Sequence, residues 1–201
     1  GNIFFAGRSW NGTDEDVLLM KYSAGGTKLW EVSWDSAGGD DDVIQMIVDN
    51  NENVYLSVRA QEAILSEYTD IAVIAFDASG NELWNVPVES MPSVAEWPAA
   101  VELDGNGNLH LIGSRDLDPS LNANQDLVYA LINSTNGNVS SFTWDVTGSD
   151  DVADHLTLIG NTAIVAAHVN EGTVQDPNYD LYYAKVLNGE VVSELEMSVN
   201  D

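Results

Sequence analysis

Cysteine is absent, so no disulfide staples this fold and no thiolate can act as nucleophile or metal ligand. Basic residues are scarce: six Lys and Arg stand against 33 Asp and Glu. The formal net charge of −27 repels nucleic-acid phosphates and anionic lipid, so neither nucleic acid nor membrane insertion is expected. It favours solubility in salty water and the attraction of cations. Three histidines are too few for a histidine-centred zinc site, and no Ser-His-Asp arrangement can be assembled from their spacing. No apolar run approaches the roughly 20 residues of a membrane helix, and no stretch holds helical spacing for long. Low Lys with abundant Asp, Asn and Gly is the composition of a secreted protein from a saline setting. An extracellular or cell-surface location is therefore expected, with the periplasm as the other compartment. The chain opens on Gly1 rather than Met, as expected of a processed or excised chain.

What is present is a repeat. "GNIFFAGR" at Gly1 recurs as "ENVYLSVR" at Glu52, "GNLHLIGSR" at Gly107 and "GNTAIVAAH" at Gly160. A second marker keeps step: "DVLLMKY" at Asp16, "DIAVIAF" at Asp70, "DLVYALI" at Asp126 and "DLYYAKV" at Asp180. Two markers in phase over four copies define units of about 50 residues, 1–41, 42–97, 98–150 and 151–201. Each unit reads as short strands separated by turn residues, with apolar Asp-led runs suited to burial on both faces. Four strands per unit predict an all-β protein, a β-propeller of four-stranded antiparallel blades. The motif "DGNGN" at Asp104 poses oxygen ligands like half a calcium loop. "DNNEN" at Asp49 repeats it, yet the fourth copy shortens it to "IGNT". A calcium loop would not survive that deletion, so these are hairpin turns.

With the repeats aligned, "DNNENVYLSV", "DGNGNLHLIG", "DEDVLLMKYSAGGTKLW" and "DIAVIAFDASGNELW" resemble the bacterial β-propeller repeat family, the seven-bladed-propeller type. The "G-x-x-x-W" hairpins at Gly26–Trp30 and Gly80–Trp84 are shared with quinoprotein-like propellers, though the tryptophan pattern decays in copies three and four. The resemblance implies a secreted or surface-attached protein of seven or eight blades. Only three innermost strands are legible against four of every other kind. The chain is accordingly expected to be a segment of a larger propeller, completed by further chain or by a second copy.

Loops joining second to third strands share a rim with those joining blade to blade. Arg8, Arg59 and Arg115 end the second strands of copies one to three, and His168 holds the corresponding place in copy four. A basic cluster there would suit a carboxylate or sulfate on a glycan or protein. The alternative is ion pairing with Asp16, Asp70 or Asp126. Trp10 and Trp97, in or beside rim loops, could stack on a sugar. Asn122, Asn124 and Asp126, and Asp176, Asn178 and Asp180, alternate oxygen ligands as calcium would require, or simply form solvated turns. No catalytic residues are assigned and no cofactor other than calcium is suggested. The leading reading is a non-catalytic binding or scaffolding module whose loop face engages a glycan or protein. The alternatives are a propeller hydrolase or lyase acting on polysaccharide through rim carboxylates, and an architectural array joined to other propeller segments or to copies of itself through open edges.

Overall fold

The computed structural model of the chain describes residues 1–36, 38–61, 63, 66, 68–88, 94–116, 124–148, 150–170 and 178–197. These form strands alone, gathered into four antiparallel sheets in chain order. The first holds β1 (Ile3–Trp10), β2 (Glu15–Tyr22) and β3 (Lys28–Trp34). The second holds β4 (Asp41–Val48), β5 (Val54–Gln61), β6 (Thr69–Phe76) and β7 (Glu82–Pro87). The third is built of β8 (Ala95–Leu103), β9 (Asn108–Asp116), β10 (Gln125–Asn133) and β11 (Val139–Trp144). The fourth is built of β12 (Asp151–Ile159), β13 (Thr162–Asn170), β14 (Tyr179–Leu187) and β15 (Glu190–Met197). Each is a simple meander, and among the described residues the first has no counterpart of the strand that β4, β8 and β12 supply to the others.

The core lies between sheets. Val17 and Leu19 of the first sheet meet Val54, Leu56, Ile74 and Phe76 of the second. Tyr55, Ile71 and Val73 of the second meet Leu109, Leu111, Ala130 and Ile132 of the third. Ile112, Leu127 and Tyr129 of the third meet Leu156, Val165, Tyr182 and Val186 of the fourth. The middle strands of the second and third sheets are therefore buried on both faces, which is why β6 and β10 read as unbroken apolar runs, whereas β2 and β14 keep one face open. Each fully buried Val, Leu or Ile contributes about 1.5–3 kcal/mol.

Hairpins repeat one device on the rim that carries the β4–β5 and β6–β7 turns. The Asp49 Oδ1 accepts the amides of Asn51 and Asn53, and its Oδ2 accepts the Asn53 side chain. Asp77 does the same with Ser79 and Asn81, and Asp104 with Asn106 and Asn108. The oxygens of "DGNGN" are thus spent on the turn. Glu52 (φ 63°) and Gly107 (φ 81°) supply the left-handed residue, whereas the asparagines stay at negative φ. Asp104 also faces buried His110 at 3.3 Å, whose other ring nitrogen lies 2.5 Å from the Tyr129 hydroxyl. An Asp104→Ala variant strands two amides and an imidazole, and should lose about 2–3 kcal/mol in a urea titration.

Neighbouring sheets are also pinned by tryptophan. Trp30 of β3 donates its indole N–H to the Ala78 carbonyl at 3.0 Å and lies on Gly80 so closely that a Cβ there would sit 3.0 Å from the ring. Trp84 of β7 repeats this on the next sheet, donating to the Ser134 carbonyl at 3.1 Å, with Gly137 beneath the ring. Both glycines hold a positive φ that an L side chain resists. Lys21 reinforces the first joint, reaching the Ala78 carbonyl at 2.7 Å and Glu52 at 2.8 Å with its ammonium over the Phe4 and Trp30 rings.

Candidate functional site

The opposite rim carries the β5–β6 type loops and the segments that join sheets, and there the inner strands β4, β8 and β12 begin. Their first residues are acidic or adjoin an acid: Asp41 and Asp42, Ala95 and Glu96, and Asp151. Two joining segments share the pattern W-D-x-x-G-x-D-D, at Trp34–Asp41 and Trp144–Asp151. In the first, Asp41 accepts the Ser36 amide at 2.9 Å and the Ser36 hydroxyl at 2.7 Å. In the second, Asp151 accepts the Val146 amide and the Thr147 hydroxyl. Both carboxyls are sealed from solvent. Burial pushes each up to about 6, while the bonds from Ser36, and from Val146 and Thr147, pull the other way. The preceding Asp latches the previous sheet: Asp40 accepts the Glu15 amide at 3.0 Å and Asp150 the Asn124 amide at 2.7 Å. Glu96 is another such tie, accepting the Ile71 amide at 3.2 Å. The acidic pairs seen in the sequence therefore hold the sheets in place.

The basic residues divide. Arg8 and Arg59 converge on one carboxylate, Asp42, at 2.9 Å and 2.5 Å, and Arg8 also meets Glu15 at 2.6 Å. Arg8 reaches Asp42 across the joint between the first two sheets, and Arg59 reaches it across the β4–β5 pair. Both guanidiniums stay part exposed, leaving donors free toward solvent. Arg115 does not join them. One more residue separates it from its repeat asparagine, so strand alternation turns it to the other face, where it grips Asp126 through Nε at 3.1 Å and Nη2 at 2.9 Å. His168 is also apart, 3.0 Å from Asp154 with its ring edge-on to Tyr179. The partner of Arg8 and Arg59 is thus Asp42 at the start of an inner strand, a residue the repeat markers do not single out.

Trp10 stands at the end of β1 and is 63% exposed. Trp97 lines a cleft of about 140 Å³ with Pro98, Ser114, Gln125 and Val152, between the third and fourth sheets. Among the oxygen ligands, Asp126 is engaged by Arg115, the Asn124 amide by Asp150, and the Asn178 amide by the Asn170 side chain at 3.0 Å. Asp180 is buried. Asn122 and Asp176 lie outside the described residues. Among the described residues no group of three or more His, Asp or Glu side chains gathers as a metal site would need.

No protein-family model and no curated protein matches the chain. Solved structures do. An α-L-arabinanase of Penicillium chrysogenum complexed with arabinobiose aligns at a TM-score of 0.57 with 14% identity, over 98% of this chain and 63% of that one. An α-L-arabinofuranosidase of Fusarium graminearum with arabinobiose aligns at 0.56 with 16% identity over the same shares. An iminosugar complex of the Fusarium graminearum enzyme aligns at 0.53, also with 16% identity, over 100% of this chain and 64% of that one. This chain spans less than two thirds of those proteins. With four neighbouring antiparallel sheets and these neighbours, the chain is an all-β protein of the β-propeller fold, laid out as four successive blades.

Proposed function

We propose that these blades belong to an extracellular, carbohydrate-directed propeller, a polysaccharide hydrolase that meets its glycan on the rim where the inner strands begin. The observation that carries the reading is the Arg8–Asp42–Arg59 cluster: two part-exposed guanidinium forks at the start of an inner strand, in a fold whose aligned neighbours hold arabinobiose. Guanidinium forks donate in pairs and suit sugar hydroxyls and carboxylates alike. Glycoside hydrolysis uses two carboxyl groups that flank the scissile bond, one as acid and one as base or nucleophile. Asp42, part exposed at the head of an inner strand, is the one carboxyl we assign to it, since Glu96 is fully buried as a tie between sheets. A second reading, a binding module without turnover, draws support from Asp41, Asp126 and Asp151, each already held by its own loop or by Arg115.

The two readings part on one experiment. Arabinobiose and arabinan are titrated calorimetrically, and reducing-sugar release is followed on the same samples. Arg8→Ala with Arg59→Ala should weaken binding at least tenfold with little change in melting temperature, since half-exposed ion pairs contribute only about 1 kcal/mol. Turnover lost in Asp42→Asn with binding retained supports the hydrolase. Binding without turnover favours the module, and no binding of either sugar removes arabinan from both.

A further inference from the structure

The two tryptophan joints have a third counterpart with nothing in it. Ser23, Asp77 and Asn133 are equivalent, each accepting the amide of the turn glycine of its sheet, Gly26, Gly80 or Gly137. The carbonyls that receive Trp30 and Trp84 belong to the next residues, Ala78 and Ser134. In the first sheet that residue is Ala24. Gly26 has the same backbone shape as its counterparts (φ 81° against 85° and 70°), but Gly80 and Gly137 are buried under indoles while Gly26 is exposed with nothing within 4 Å.

The face around Gly26 matches as well. Val54 and Leu56, and Leu109 and Leu111, are all 0% exposed because the preceding sheet covers them. Their equivalents in the first sheet, Ile3 and Phe5, are 45% and 51% exposed. Ile74 and Phe76 are buried in the same way, whereas Met20 and Tyr22 at those positions line an open depression of about 390 Å³ with Ile3, Phe5 and Gly26. An apolar platform, a left-handed glycine and a free carbonyl are the elements that seat an indole twice elsewhere in this molecule.

We infer that this face is a docking socket for a further propeller blade, one that presents a tryptophan four residues after a turn glycine on its outer strand. A second copy of this chain does not fit. Its fourth sheet would have to enter the socket, and there Ser193 faces Lys185 in the register where Trp30 faces Lys21 and Trp84 faces Ala75. Trp30 and Trp84 are already committed to their own joints. The occupant is a blade other than the four described.

The test uses the chain's own β6–β7 hairpin as probe, a peptide of residues 70–88 closed by a disulfide between positions 71 and 88, which hydrogen-bond in the fold. It is titrated calorimetrically into the 201-residue protein, beside the same peptide with Trp84→Ala. Saturable binding that weakens at least tenfold without the indole is the expected result. Gly26→Val in the protein should abolish it. Because that turn could misfold, Phe5→Lys, on the exposed face, is the second variant and should have the same effect. Equal binding of the two peptides overturns the socket, as does no binding. A concentration-dependent dimer that Phe5→Lys dissolves would make the occupant a second copy and overturn the assignment.

Discussion

Trp84→Ala is expected to lower the free energy of unfolding by about 3–5 kcal/mol, the range for removing a large aromatic from a packed site. The indole lies flat against Gly137, tilts against Tyr55 with ring centroids 6.1 Å apart, and satisfies the Ser134 carbonyl. Truncation opens a void between the second and third sheets that no neighbour can fill, because the glycine beneath has no side chain to advance. It also leaves a part-buried carbonyl without its donor. For a chain of this size the melting temperature should fall by on the order of 10 °C. Leu83→Ala is the control: Leu83 is next in sequence but 49% exposed, and its loss should stay within about 0.5 kcal/mol. A Trp84 variant that melts with the Leu83 variant would show that the joint contributes little.

Acidification from pH 7.5 to pH 5 is expected to stabilise the protein. Asp41 and Asp151 are raised by burial from 3.8 to about 6 in the folded chain. Between those values the native state binds more protons than the unfolded state, so stability declines as pH rises from about 4 to 6 and levels off above. Each group can account for at most about 3 kcal/mol, at 1.36 kcal/mol per pH unit. The net charge of −27 adds in the same direction, since partial neutralisation eases self-repulsion. Below about pH 4 the trend reverses, because Asp77 and Asp104 are held below the usual carboxylate range, chiefly by Asn81 and, for Asp104 against its own burial, by the amides and side chains around it. Urea midpoints should trace a maximum near pH 4. A curve that rises steadily from pH 5 to pH 8 would contradict the burial of these two acids.

The propeller was legible in the sequence because its blades repeat: two markers in phase located every middle strand, and the missing innermost strand of the first sheet showed as a count of three against four. The hairpins were legible because an Asp four residues before an Asn is a turn chemistry independent of what packs around it. The rim was harder to read. Arg8, Arg59, Arg115 and His168 align in sequence, but one extra residue in copy three reverses the side of the strand that Arg115 occupies. Asp42 carries no repeat signature, and only the pairing of β4 with β5 places it opposite Arg59. The glycine sockets depend on contacts between sheets, which a list of strands does not contain. One signal was available: the recurrence of W-D-x-x-G-x-D-D marked both joining segments as a common latch.

Each sheet packs substantially only on the sheets next to it in the chain, among the described residues. That arrangement makes the molecule behave as a short one-dimensional lattice rather than a single all-or-none core. Protection from hydrogen exchange should grade along it, highest in β6 and β9, which are roofed on both sides, and lowest in β1 and β15. Assembly can start at the central pair and spread outward one blade at a time, so a nascent chain can begin to fold before its synthesis is complete.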